Sequence, residues 1–314
     1  MSRNDRSRIT YVAIGPSSFA SEDEGPVQML ERAGCRVVPN PYGRRLDEAE
    51  IIKLLEGVDG LVAGLEPLNA KVIASAPQLR AIARVGIGTA NVDFDAAAAQ
   101  GVKVSSTPEG PVDAVAEMTL AALLALCRRL VPANAALHRA EWVKEIGMGL
   151  RGARVLLIGY GRIGRRVATL LRAFGPELLV YDPFLDSSSD VDGVAVVQKL
   201  TDGLADADVV SLHASGTEVL IGQDEFDAMK RGALFLNSAR GELVDEDALV
   251  RALESGKLSG AWLDAFWEEP YAGRLTRFDH VLLTPHVGTY TRQCRLSMES
   301  AAVRNLLRDL GVGP

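Results

Sequence analysis

The sequence predicts an α/β protein built from two doubly wound parallel-sheet units, and three observations lead there. Short apolar runs and helical patterns alternate from end to end, as in sheets flanked by helices. Hydrophobic residues make up 47% of the 314 residues and aromatics only 5%, so the cores must be built from Ala, Val, Leu and Ile. Strands buried on both faces read as such continuous aliphatic runs. The alternation also restarts near Arg154, giving two series of ordinary domain size.

In the first series ITYVAIG (9–15), GLVAG (60–64), LRAIARVG (79–86) and VKVSS (102–106) read as strands. Between them LDEAEIIKLLEG (46–57) has helical spacing with acids in its first turn, and NVDFDAAAAQG (91–101) closes on a helix-stopping glycine. The segment PVDAVAEMTLAALLALCRRLV (111–131) opens with proline and Asp113 and closes with Arg128 and Arg129, as one long helix would. It is apolar nearly all round, so burial between domains or subunits is expected. The second series runs RVLLIG, a helix, ELLVYD, DVVSLH, ALFLNSA, SGAWLDAF and VLLTPH, and TRQCRLSMESAAVRNLLRDL ends it as a helix.

A net charge of -7 and a pI near 5.3 argue against nucleic acid as a partner. Cys35, Cys127 and Cys294 are few, odd in number and scattered, so neither a disulfide framework nor a metal site is expected and a cytoplasmic setting is. The opening MSRNDRSR runs straight into ITYVAIG, too short for a signal-peptide core, and no run is long and apolar enough to span a membrane.

The segment RVLLIGYGRIGRRVATLLRAF carries Gly159, Gly161 and Gly164 in G-x-G-x-x-G spacing. It follows an apolar strand and opens a helix, the context that gives the pattern meaning. Gly159 suits the tight turn, Gly161 lets the backbone approach a pyrophosphate, and Gly164 allows close helix–strand packing. The helix start offers N–H groups and a positive dipole end to phosphates. The next strand ends in Val180-Tyr181-Asp182, where the acid would accept from the adenosine ribose hydroxyls and repel a 2′-phosphate. Pro183 and Phe184 follow, with no arginine to receive that phosphate, so the expected cofactor is NAD rather than NADP.

Three further stretches end strands of the second series: FLNSARGELVDEDAL (235–249), AWLDAFWEEP (261–270) and TPHVG (284–288). Ligands of wound sheets sit at the carboxyl ends of strands, so Arg240, Asp264, Glu269 and His286 are expected to face one cleft. An arginine, a carboxylate and a histidine beside a nicotinamide suit reduction of a 2-keto acid, which needs a fork for the carboxylate and a proton for the carbonyl oxygen.

In these segments the chain resembles the D-isomer-specific 2-hydroxyacid dehydrogenases, especially their phosphoglycerate dehydrogenase-like branch. The matching stretches are ARVGIGTANVDFDAAAAQG, PVDAVAEMTLAALLAL, LIGYGRIGRRVA, NSARGELVDEDAL, LDAFWEEP and LLTPHVG, in the family's order from about residue 80 to 290. NPYGRRLDEAEI resembles the branch less specifically. The resemblance implies a Rossmann-type NAD domain, 107–286, and a flavodoxin-like substrate domain, 1–106 with 287–314, around a central cleft. It implies that Arg240 grips the substrate carboxylate, that His286 is the acid/base, and that Glu269 pairs with His286. The rival Glu268 is set aside because the motif's acid directly precedes Pro270. Cofactor contacts are expected from Tyr160, Arg162 and Ile163 between the glycines, and from His213, Ala239, Asp264 (toward the nicotinamide carboxamide) and Gly288. Val85, Gly86, Ile87 and Gly88 would offer backbone N–H groups to the substrate carboxylate. A homodimer, formed through 111–131 and the following HRAEW, is expected, and closure of the two domains would exclude water.

Other conspicuous residues take plainer readings. His138 and His280 are expected on the surface, Trp262 and Trp267 in packing, and Cys294 as an ordinary helix residue. Arg44 and Arg45 form a solvated loop or, alternatively, hold a distal anion. Pro111 stands where the family often has asparagine, and ASGTEVLIG after His213 is shorter than the usual cofactor loop. With one last helix before Pro314, no serine-responsive regulatory domain is expected. The substrate stays open among 3-phosphoglycerate, glycerate/hydroxypyruvate and related anionic acids. Alternatives are an unusual donor such as phosphite, or a corepressor-like NAD sensor.

Overall fold

The computed structural model describes residues 8–313 apart from 187–190 and 192. The chain divides into two compact units, one reaching to Pro111 and resuming at Tyr290, the other spanning Val112–Thr289.

In the first unit β1 (Thr10–Ile14), β2 (Cys35–Val38), β3 (Gly60–Ala63), β4 (Ala81–Arg84) and β5 (Lys103–Ser105) form a wholly parallel sheet in the order β2-β1-β3-β4-β5. Parallel neighbours require crossovers, supplied by α1 (Gly25–Arg32), α2 (Glu48–Leu54), α3 (Ala70–Ala74) and α4 (Phe94–Gln100). Local chemistry sets their ends. Asp47 and Glu50 make a reciprocal capping box at α2, while Asp93 caps the start of α4 and a left-handed Gly101 its end. The C-terminal helix, Arg292–Leu310, packs against α1, β3 and β4. Every residue of β3 and β4 is buried, the Arg84 that ends β4 included. The short β2, interrupted by Arg36, is not apparent from the apolar runs.

The second unit begins with α5 (Val112–Cys127) and α6 (Leu130–His138). The single helix expected over 111–131 is therefore two, because Arg129 turns left-handed at φ 54° between them. The apolar surface of α5 is spent inside its own unit, where it packs on α7 (Arg162–Leu171). Seven strands follow, β6 (Arg154–Ile158), β7 (Glu177–Tyr181), β8 (Ala195–Val196), β9 (Val209–Leu212), β10 (Ala233–Asn237), β11 (Leu258–Leu263) and β12 (Val281–Leu283). All pair parallel in the order β12-β11-β10-β9-β6-β7-β8. The remaining helices are α8 (Leu200–Asp206), α9 (Gln223–Ala228), α10 (Glu246–Glu254) and, in the first unit, α11 (Arg292–Leu310). Two aliphatic clusters hold the sheet, one with Phe226 and Phe235, the other joining α5 and α7 to Trp262. Strand order reverses between β6 and β9, so the crevice favoured by ligands in such sheets opens there. Among the described residues no helix is long and apolar enough to cross a membrane, and no group of three or more His, Cys, Asp and Glu could hold a metal.

Candidate active site

The glycine loop lies at the switch point. Gly159 adopts φ 92°, and a side chain there would meet the Ala214 nitrogen at 2.6 Å, so only glycine makes this turn. Gly164 would collide with the Gly159 carbonyl, which keeps helix and strand in contact. Gly161 caps α7, and a Cβ at this position would have no atom within 4 Å, so the space above the helix start is open. No acid stands in the first turn of α7 to repel an anion, and Arg162 and Ile163 form that turn. At the end of β7 Asp182 accepts from the Tyr160 N–H at 2.7 Å and from the Phe184 N–H at 3.0 Å. A carboxylate has about four acceptor positions, so two are left for hydroxyls.

His213 follows β9, its backbone N–H bonded to the Ile158 carbonyl at 2.7 Å. Its ring is bracketed by Ser211 Oγ, 2.9 Å from Nε2, and Ser238 Oγ, 3.3 Å from Nδ1. Desolvation among these strand ends pushes the imidazole down to about 4, so it is neutral at ordinary pH. The exposed loop beyond it is tied down where Leu220 and Ile221 donate to the Leu243 carbonyl, three residues past Arg240.

The carboxyl ends of β10, β11 and β12 carry the charged side chains. His286 Nδ1 lies 3.0 Å from each oxygen of Glu269, while Glu268 is exposed. The Phe266 N–H also donates to Glu269 Oε1, at 3.2 Å. His286 has φ 53°, a left-handed conformation that costs a side-chain-bearing residue about 1 kcal/mol. Its surroundings hold it there. The His286 N–H donates to the Thr284 carbonyl at 2.8 Å, and Asp264 accepts from the Val287 and Gly288 N–H groups at 2.9 and 2.7 Å and from the Thr284 hydroxyl at 2.6 Å. Asp264 is thus a brace for the backbone around His286, a task its sequence position did not reveal. Arg240 sits half-buried after Ala239; Asn237 holds its carbonyl at 2.8 Å, and its Nη1 donates to the Ala239 carbonyl at 2.7 Å.

In the first unit the turn after β4 is closed on itself. Val85 N–H donates to Ala63 and Gly86 N–H to the Thr107 hydroxyl, at 2.9 and 2.8 Å. The Val85 and Gly86 N–H groups, two of the four expected to meet a carboxylate, therefore already have partners within their own unit. Gly86 is at φ 124° against the Arg84 guanidinium, which also bonds the Val85 carbonyl. Arg44 makes a two-pronged ion pair with Glu50, at 2.9 and 2.6 Å. His138 is exposed as expected, but His280 is half-buried, edge-on to Phe278.

Residues 120–288 match the model of the D-isomer specific 2-hydroxyacid dehydrogenase, NAD binding domain. The chain belongs to that family. A glyoxylate reductase of Thermococcus litoralis is 32% identical over 271 residues, 82% of each chain. A D-3-phosphoglycerate dehydrogenase of Synechocystis is 35% identical over 276 residues, 85% of this chain but only 50% of that longer relative. Among solved structures, a glyoxylate reductase from Paecilomyes thermophila superposes with a TM-score of 0.84 at 27% identity, covering 96% of this chain and 95% of the other. As a member of the family the protein is an NAD-dependent oxidoreductase of small anionic 2-hydroxy or 2-keto acids. The second unit fits the dinucleotide: a side-chain-free approach at Gly161, an unopposed helix start, and a carboxylate at the end of β7.

Proposed function

We propose that the chain interconverts a small, unphosphorylated 2-keto acid and its D-2-hydroxy acid, with Arg240, Glu269 and His286 as the catalytic residues. The observation that carries this reading is the His286 ring held through Nδ1 by both oxygens of Glu269 at 3.0 Å. A carboxylate on Nδ1 fixes the orientation of the ring, so Nε2 is the nitrogen that exchanges the proton with the substrate. In reduction His286 gives that proton to the C2 oxygen, and in oxidation it takes it back. The Arg240 guanidinium pairs two-pronged with the substrate carboxylate. Bound NADH supplies the hydride that reaches C2.

Around the cofactor, the loop from Gly159 through Tyr160, Gly161, Arg162 and Ile163 to Gly164 takes the pyrophosphate, and Asp182 takes the ribose hydroxyls. His213, Ala239 and Gly288 line the same place. Asp264 holds three donors, which leaves about one acceptor position for the nicotinamide carboxamide.

One feature supports a substrate without a distal phosphate. Of the two arginines that could hold such an anion, Arg44 is paired two-pronged with Glu50. Glyoxylate and hydroxypyruvate carry the carboxylate and keto groups this chemistry needs and no phosphate. A two-fold homodimer is also proposed. Leu130, Val131, Leu137, Trp142, Val143 and Ile146 are exposed along one stretch of the second unit, a concentration of apolar side chains of the kind that marks an interface.

The test is NADH oxidation against glyoxylate, hydroxypyruvate and 3-phosphohydroxypyruvate. Turnover favouring the first two is expected. Preference for the phosphorylated acid would overturn the substrate assignment, and silence on all three with NADH still bound would point to an unusual donor or an NAD sensor.

A further inference from the structure

We infer that Trp267 and Tyr271 are positioning residues that clamp the segment carrying Glu269 onto the segment carrying Arg240; the inference rests on the roles proposed above for Glu269 and His286. Glu269 lies in the long connection between β11 and β12, whose only regular piece is the 3-10 turn Arg274–Arg277. Long connections open locally at low cost unless they are tied down, yet proton transfer needs its groups fixed to a fraction of an ångström.

The ties come from two aromatic residues. The Trp267 Nε1–H donates to the Val244 carbonyl at 2.6 Å. The Tyr271 hydroxyl donates to Glu246 Oε1 at 2.6 Å and accepts from the Leu275 N–H at 3.1 Å. Both donations land on the chain just beyond Arg240, at residues 244 and 246, across the 3-10 turn Gly241–Leu243. The backbones meet as well, since any side chain at Gly241 would strike the Phe266–Trp267 peptide. Within the connection the Tyr271 ring stacks on Phe266, centroids 4.5 Å apart and 17° from parallel, and Phe266 is the residue whose N–H reaches Glu269. An unbroken set of contacts therefore runs from Arg240 through Gly241, Val244 and Glu246 to Phe266 and Glu269, and so to His286.

Packing alone does not account for this arrangement. Both rings lie against the aliphatic cluster, a task phenylalanine performs in place of Tyr271 and, with less area, in place of Trp267. What phenylalanine lacks is the indole N–H and the phenol O–H, and each is spent on the Arg240 side. The Tyr271 hydroxyl is pushed up to about 12 by desolvation first and then by Glu246, so it remains a donor at working pH. The charged groups facing these residues are Glu246, Asp247 and Arg274 around Tyr271, and Glu269 and Asp264 around His286. Replacing Trp267 or Tyr271 by phenylalanine changes none of those charges.

The experiment compares W267F, Y271F and the double variant with wild type and with E269Q, reading thermal stability, the dissociation constant of NADH, and kcat and KM for the best keto acid. The clamp predicts that the double variant keeps NADH affinity and loses about tenfold in kcat with a smaller change in KM, because a loosened Glu269 no longer holds the His286 ring in line. E269Q should lose more in kcat, with the same split between kcat and KM. If E269Q loses kcat and the phenylalanine variants match wild type, the clamp is wrong and the catalytic reading stands. If E269Q itself matches wild type, the catalytic reading fails. Should the double variant not fold, Y271F, which keeps its stacking on Phe266, decides in the same terms.

Discussion

At the ends of β6 and β7 the seven-stranded sheet presents backbone. Gly159 and Gly161 carry no side chain, the start of α7 offers N–H groups, and Asp182 is held by two more. At the ends of β10, β11 and β12 the same sheet presents side chains: Arg240, Glu269 and His286, held by Asn237, Phe266, Thr284 and Asp264. One half is shaped by what is missing, the other by chemical groups and their supports. The difference teaches how each half fails. A site made of backbone is damaged by adding an atom, and a site made of side chains by removing one.

The largest expected effect in this comparison comes from the side-chain half. Arg240→Lys keeps the charge and loses the planar fork, so kcat/KM should fall about 100-fold, equivalent to about 2.7 kcal/mol, with NADH affinity unchanged. Steady-state kinetics beside an NADH titration checks it, and a loss confined to NADH binding would break the division of labour.

Next comes the backbone half, where two glycines should part company. Gly161→Ala meets nothing within 4 Å and has an ordinary φ of -72°, so it should fold normally and weaken NADH by about tenfold, roughly 1.4 kcal/mol. Gly159→Ala must move backbone, at φ 92° and 2.6 Å from the Ala214 nitrogen, so it should lower thermal stability as well. Equal behaviour of the two in a melting experiment would contradict the geometry.

The smallest effect belongs to His213, between the halves. Its folded-state value is held down to about 4 against 6.5 for the free group. Between those values the unfolded chain binds the proton and the folded chain resists it, so stability falls as pH drops through this window. Melting temperature should decline by about 2–4 °C per kcal/mol lost, and His213→Asn should flatten that slope. An unchanged slope in the variant would assign the acid sensitivity elsewhere.

The two halves also differ in how much of them the sequence discloses. The glycine spacing, the preceding aliphatic strand and Asp182 lie within one short stretch, and backbone requirements of that kind are written locally. The parallel α/β architecture is legible for the same reason, since buried strands such as Gly60–Ala63 are unbroken apolar runs. His286 and Glu269 are 17 residues apart; their strand-end positions assign both to one cleft, but only the resemblance to a family paired them before the structure did. Asp264 as a brace, the Trp267 and Tyr271 ties, and the engagement of Arg44 by Glu50 depend on contacts that no periodicity encodes. The break at Arg129 was hidden because the apolar pattern continues across it while one residue turns left-handed.

The proton-transfer role of His286 is central, and one variant tests it most directly. His286→Ala removes the imidazole and leaves the glycine loop untouched. Turnover of the best keto acid should fall by at least about 100-fold, the usual contribution of a general acid, while the NADH dissociation constant stays at the wild-type value. Wild-type turnover in His286→Ala, or loss of NADH binding sufficient to explain the defect, would contradict it.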